Sequence, residues 1–248
     1  MNYIDDKTKY DTLYTIGDTH GENLSIAPML LGNDSELRKC VLHCGDFGIG
    51  FSSYVGDREM MRKLNRRMIK YNITLYAIRG NHDNPVYFND EKSHFGLSNV
   101  ILVPDHTILN LIVEGKDKVV YLNGGAVSVD RVNRTPSKSY WWNEAVNRLS
   151  EHDLAGIPDN LDIVITHTRP KGVFPISKDN IKFWMEKDMS LERDLDIELD
   201  IISDIFDNIN SKNPEYQHFY GHFHTSNLDI IGDVKHKLLN IKEICEVR

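Results

Sequence analysis

Leu13-Tyr14-Thr15-Ile16-Gly17-Asp18-Thr19-His20-Gly21 reads as a short apolar strand that stops at a glycine and is followed at once by two side chains able to hold a metal. The same pattern recurs along the chain. Lys39-Cys40-Val41-Leu42-His43-Cys44 stops at Gly45-Asp46, and the strand Thr74 to Ile78 is followed by Gly80-Asn81-His82. The strand Asp162 to Thr166 stops at His167, and Gln217 to Tyr220 stops at Gly221-His222-Phe223-His224. Helical patterns are expected between these strands, at residues 23–31, 57–71, 140–152 and 191–209. The last carries Leu191, Leu195, Leu199, Ile202 and Ile205-Phe206 at helical spacing. Further β-rich runs occupy residues 100–103, 107–113 and 119–122, broken by Pro104-Asp105 and Glu114-Gly115, and two short strands are expected near Leu228 and Leu238. Strands alternating with helices predict an α/β fold. In open α/β sheets ligands bind beyond the carboxyl ends of the strands, and those are the positions that Asp18, Asp46, Asn81, His167 and His222 take up.

Length and composition bound the reading. The chain has 248 residues, 40% hydrophobic and 27% charged, which suits one sizeable globular domain spanning residues 1–248. No apolar run approaches the roughly 20 residues that span a bilayer, and the first residues hold no apolar stretch of signal-peptide length. The expectation is a cytoplasmic protein without a membrane partner. Cys40, Cys44 and Cys245 are too few and too uneven for a disulfide framework, and Cys40 and Cys44 are expected as buried strand residues. The net charge of −8 argues against long nucleic acid as a partner. It leaves room for a phosphorylated small molecule or nucleotide, because bound cations would invert the local field.

The strand-end residues supply two Asp, one Asn and four His as ligands, with His82 as a further histidine. One residue separates Asp18 from His20, so in extended backbone both side chains point the same way and can share one ion. His222 and His224 repeat that spacing, although each imidazole there can serve a different ion. A carboxylate has two oxygens and can bridge two cations, and Asp46 is the expected bridge. Mixed oxygen and nitrogen donors suit Mn, Fe or Zn better than Mg or Ca.

Asp-x-His, Gly-Asp, Gly-Asn-His-Asp, a lone His and Gly-His-x-His, in that order over residues 17–224, resemble the calcineurin-like metallophosphoesterase superfamily. The resemblance implies a β-sandwich flanked by helices, in α/β/β/α layers. It implies a first metal on Asp18, His20, Asp46 and His224, and a second on Asp46, Asn81, His167 and His222. His82 would then sit over the substrate phosphate. The expected reaction is hydrolysis of a phosphomonoester or phosphodiester by a hydroxide that bridges the metals, with Asp46 and His82 as catalytic residues. His82 would protonate the leaving alkoxide or hold the phosphate. Two other readings stay open: an inactive metal-bound module for a phosphorylated ligand or partner, and a nuclease acting on nucleic-acid ends.

Substrate is less legible. The protein phosphatase branch of the superfamily carries Gly-Asp-x-Val-Asp-Arg-Gly, where this chain has Gly45-Asp46-Phe47-Gly48-Ile49-Gly50, which points away from that branch and from the related dinucleoside tetraphosphatases. Arg79 does match the phosphatase version. The block from Gly124 to Glu144 resembles a segment of small bacterial and phage metallophosphoesterases. Arg131 and Arg134 within it are candidate phosphate contacts alongside Asn81, or else arginines paired to surface acids. One of Trp141 and Trp142 is expected in the core, and Glu144 as a helix-turn charge. Residues 169–188 follow His167 and are expected to border the site, as a lid or as a connector. His43 is a candidate support for a ligand. His94, His106, His152, His218 and His236 match no motif and are expected at the surface or in packing.

Overall fold

The computed structural model describes residues 1–30, 36–90, 95–176 and 181–248. Leu31, His94 and residues 177–180, which the sequence reading touches, lie outside them. In chain order the elements are β1 (Asn2–Tyr10), β2 (Thr12–Ile16), α1 (Ile26–Met29), β3 (Lys39–His43), α2 (Tyr54–Lys70), β4 (Ile73–Ala77), α3 (Val86–Asn89), β5 (Val100–Leu102), β6 (Thr107–Val113) and β7 (Lys116–Asn123). There follow α4 (Glu151–Ala155), β8 (Ile163–Thr166), α5 (Lys182–Met185), α6 (Leu191–Lys212), β9 (Gln217–Tyr220), β10 (Asn227–Ile231), β11 (Val234–Leu238) and β12 (Ile244–Glu246).

The strands form two sheets. One has five strands in the order β12-β2-β3-β4-β5, parallel except for β12. The other has seven, in the order β1-β6-β7-β8-β9-β11-β10, with parallel pairing from β7 through β8 and β9 to β11. The period-two alternation of strands decides the layers. Leu13, Cys40, Leu42 and Ile78 of the first sheet meet Leu109, Val120, Leu122, Ile163, Ile165 and Phe219 of the second in one buried cluster. The intervening residues face outward: Val41, Leu75 and Ala77 pack on Ile26 of α1 and on Met61, Leu64 and Met68 of α2. Ile108, Tyr121 and Val164 pack on Ile202, Ile205, Phe206 and Ile209 of α6. Each such fully buried side chain contributes about 1.5–3 kcal/mol of transfer free energy. The result is the α/β/β/α layering expected. No helix among the described residues is long and apolar enough to cross a membrane.

Two expectations are corrected. Residues 140–150 are irregular, with a turn at 142–143, rather than a helix, and only the tip of the expected segment is helical, as α4. The carbonyls that a helix would use internally are taken from outside. The buried Arg79 guanidinium donates to the carbonyls of Asn143, Glu144 and Ala145, and the Ala126 N–H donates to that of Glu144. Arg79 also grips Asp105 side-on, with contacts of 2.8–3.0 Å, so this arginine braces the structure under the site. The helix expected at residues 23–31 is likewise broken, into a 3-10 turn at Asn23–Ser25 and the single turn of α1.

Candidate metal centre

The loops after β2, β3 and β4 are stitched together before any ligand is considered. The Asp46 carbonyl accepts the N–H groups of Thr19 and His20 at 3.1 and 2.8 Å. Asp83 is fully buried and accepts four backbone N–H groups, from Phe47, Gly48, Ile49 and Gly80, at 2.7–3.0 Å. It therefore clamps the 46–50 loop to the 80–83 loop and does not orient His82. Burial and the nearby Asp46 push its carboxyl up to about 6, against the pull of those donors. Beneath them, His43 accepts the Gly45 N–H on Nδ1, which leaves Nε2 to donate to Thr19 Oγ1 at 2.9 Å. Burial holds His43 neutral, with its pKa down at about 3. It supports Thr19, the residue between Asp18 and His20, rather than a ligand directly.

On this frame the sequence-nominated side chains converge. Asp18, His20, Asp46 and His224 each offer an atom within 4.8 Å of the others. His20 Nε2 and His224 Nε2 stand 3.0 Å apart, and His224 Nε2 is 3.1 Å from Asp18 Oδ2. Asn81, His167 and His222 gather beside them: Asn81 Oδ1 lies 3.1 Å from His167 Nε2 and 2.9 Å from His222 Nδ1. Asp46 touches both groups. Its Oδ1 is 3.3 Å from His167 Nε2, and its Oδ2 is 3.9 Å from His20 Nδ1.

Backbone geometry shows how tightly the groups are drawn in. A Cβ on Gly80 would stand 2.1 Å from Asp46 Oδ1, and one on Gly221 would stand 2.1 Å from Asp18 Oδ1. Four of the seven nominated ligands are held at positive φ: His20 at 46°, Asp46 at 52°, His222 at 71° and His224 at 49°. Left-handed backbone is unfavourable for residues with a Cβ and concentrates at functional sites.

The donor set fits a cation. Asp46 Oδ2 is buried and has no hydrogen-bond partner. A buried carboxylate oxygen in that position is costly unless positive charge faces it. Burial opposes the ionised form of Asp46, yet His167, His82 and His20 around it hold its pKa well below the usual range. His167 Nδ1 must donate to the Cys44 carbonyl at 2.8 Å, so its Nε2 points at two oxygens, of Asp46 and Asn81. Either a proton or a metal has to fill that gap. Burial lowers the His167 pKa, but Asp46 outweighs it and lifts the group to about 9. A metal would displace that proton.

The second nominated block lies beside the centre, and its residues divide. Arg134 donates to His82 Nε2 at 2.8 Å and to Ser128 Oγ at 3.0 Å, and pairs with Asp130 at 2.6 Å. Since arginine only donates, His82 Nε2 is an acceptor here, and burial holds its pKa below the ordinary value. Arg131 is tied to Asp188, Ser190 and Asp194 and to none of the ligand residues. Glu144 is buried rather than a turn charge, and takes both the N–H and the hydroxyl of Ser128. Ser128 Oγ in turn accepts the Asn81 Nδ2–H at 3.0 Å, which aims Asn81 Oδ1 at the two histidines. The sequence signal for Ser128 was only its place after the Gly124-Gly125 strand end. Trp141 is buried and Trp142 78% exposed. Among the unassigned histidines, His218 and His236 are buried against each other and Thr166, and His106 bonds Tyr121.

No curated protein matches the chain in sequence. A Thermus thermophilus protein of known structure is similar at 10% identity and a TM-score of 0.49, over 93% of this chain and 90% of that one. The phosphopantetheinyl hydrolase of Mycobacterium tuberculosis is similar at 12% identity and a TM-score of 0.47, over 94% and 90%. The anchor protein of the inner membrane complex of Plasmodium is similar at 11% identity and a TM-score of 0.44, over 94% and 72%. The family model described as calcineurin-like phosphoesterase matches residues 12–226, from the first residue of β2 to just beyond His224. The chain therefore belongs to the calcineurin-like phosphoesterase family.

Proposed function

We propose that this chain is a hydrolase that cleaves a phosphomonoester or phosphodiester on two metal ions. The first would be held by Asp18, His20, Asp46 and His224, and the second by Asp46, Asn81, His167 and His222. The observation that carries the reading is Asp46: its carboxylate faces both groups and keeps one buried oxygen without a partner. The donors, three carboxylate or amide side chains and four imidazoles, favour Mn, Fe or Zn. When bound, two such ions supply water activated for attack on phosphorus and charge to neutralise the phosphate.

The chain's own residues would do the rest. Asp18 and Asp46, both fully buried, provide the negative charge that draws the ions in. Asn81, fixed by Ser128, would present its neutral oxygen to the second ion, beside His167 and His222. Arg134 is the fixed positive charge beside His82. A substrate phosphate oxygen taking the Arg134 N–H would release His82 Nε2 and raise its proton affinity by proximity. His82 would then carry a proton at Nε2 and deliver it to the leaving alkoxide. Substrates in this reading are phosphorylated small molecules or nucleotides, and the net charge of −8 disfavours long nucleic acid. Cys40 and Cys44 are buried free thiols, which fits a reducing compartment such as the cytoplasm.

The test is to load the protein with Mn and compare an aryl phosphomonoester with an aryl phosphodiester. Turnover of one of them is expected, and His82→Ala should retain both metals while slowing turnover by about a hundredfold or more. Two bound metals with no turnover of any phosphoester would sink the hydrolase reading and favour a binding module. Full activity in His82→Ala would sink the role of that residue.

A further inference from the structure

Two cavities flank the centre, and their charges are differently occupied. One, of about 720 Å³, is lined by Arg131, Arg134, Tyr140, Trp142 and Glu144. Its Arg131 is already neutralised by Asp188 and Asp194, at 2.6 and 2.7 Å. The other, of about 580 Å³, lies between the loop after β8, helix α6 and the loop that carries His222. Its walls are largely apolar, with Val129, Phe174, Ile176, Leu195, Leu199 and Phe223, and His222 itself forms part of the lining. This cavity therefore opens beside the group formed by Asn81, His167 and His222.

Arg169 stands on that wall and is 9% exposed. Among the described residues its Nε is buried without a hydrogen-bond partner, and a terminal nitrogen donates at 3.3 Å to the carbonyl of the adjacent Pro170. Among the described residues no carboxylate makes an ion pair with it. Glu198 shares the wall, but its oxygens serve the Val127 N–H and the Thr168 hydroxyl. Glu198 therefore acts on Arg169 through space only, without a direct bond. A buried guanidinium without a directly bonded anion is costly, and its planar fork of donors matches a carboxylate. A carboxylate is a monoanion and costs less to bury in an apolar cavity than a second phosphate dianion.

We propose that this cavity receives the alcohol half of the substrate, an apolar or aromatic group bearing a carboxylate, and that Arg169 recognises that carboxylate. The inference rests on the phosphoesterase reading for the word substrate, while the cavity's ligand preference can be tested apart from it. The probes are hydroxynaphthoate and naphthol, which share an apolar ring system and differ in the carboxylate. Binding of each to the full chain is measured by calorimetry, Mn-loaded and again after chelation.

Wild type should bind hydroxynaphthoate at least about tenfold more tightly than naphthol, the size of a hydrogen bond to a charged group. The preference should persist after chelation. Arg169→Met should erase it while leaving naphthol binding unchanged, with thermal melting to confirm folding. Leu199→Trp, which fills the cavity, should weaken both probes and decides the matter if Arg169→Met does not fold. Equal binding of the two probes, a preference that survives Arg169→Met, or one that vanishes on chelation because the metals read the carboxylate, would each overturn the proposal. Phosphoester turnover without any probe preference would remove this inference alone. Probe preference without turnover would remove the phosphoesterase reading and leave the cavity.

Discussion

The loops of the five-stranded sheet carry Asp18, His20, Asp46 and Asn81, whereas those of the seven-stranded sheet carry His167, His222 and His224. The first sheet thus supplies every oxygen donor, and the second only imidazoles. They also differ in how they are held. On the oxygen side the loops brace one another through the four backbone donors of Asp83 and the two of the Asp46 carbonyl. On the imidazole side the principal anchors run across to the opposite sheet: His167 Nδ1–H to the Cys44 carbonyl and the His222 N–H to Asp18. One side is a preformed frame, and the other is docked on it. A cation at the junction would therefore link the two sheets as well as serve chemistry, and stripping it should loosen their contact.

Asp46 is the residue common to both sides, so its loss should have the largest effect. Asp46→Asn keeps the oxygen that accepts the His82 N–H but removes the charge facing both groups. Metal content by elemental analysis and turnover should both fall to background. Retention of two metals would break the idea that Asp46 joins the groups. Asp83→Ala attacks the frame alone. It leaves four backbone N–H groups without their acceptor, and unfolding free energy should drop by about 3 kcal/mol or more in a denaturant titration. A loss under about 1 kcal/mol would show that the loops hold without the clamp.

Sequence patterning made the oxygen side and the imidazole side equally legible as candidate ligands, because each lies just after an apolar strand and a glycine or threonine stop. It did not show what holds them. Asp83 is adjacent to His82 in sequence, but its bonds go to residues 47–49 across a loop closure no local pattern encodes. β1 carries no strand signal in the sequence because its residues, Asn-Tyr-Ile-Asp-Asp-Lys-Thr-Lys-Tyr, are mostly exposed on an edge strand and show no apolar alternation. The helix expected over residues 140–152 failed for a long-range reason, since Arg79 takes the carbonyls that helix would need. Arg131 and Arg134 sit three residues apart, yet one is absorbed by acids around the start of α6 and the other reaches His82.

Smaller perturbations sharpen the comparison further. Ser128→Ala removes the acceptor for Asn81 Nδ2 and should weaken the second metal site by about tenfold to a hundredfold, with the first site unchanged in a two-step metal titration. Equal weakening of both steps would mean the two groups do not separate. Glu144 behind Ser128 gives the mildest effect. Burial pushes its carboxyl from 4.5 up to about 7, so between those values the folded chain holds a proton that the unfolded chain releases. Its contribution to stability is full below about pH 4.5 and is lost as pH rises through about 7. The difference in unfolding free energy between wild type and Glu144→Gln should therefore decline across that window. A flat difference would show that Glu144 titrates normally.

The left-handed backbone at His20, Asp46, His222 and His224 has a consequence for how such a protein changes over generations. Glycine at any of these positions would relax the main chain, although it would remove a proposed ligand. Local stability and ion retention are thus set against each other residue by residue, in the manner of a trade-off between robustness and activity. A lineage selected only for a sturdy fold would gain from losing these side chains. The presence of all four in this chain is what a demand for ion binding would explain.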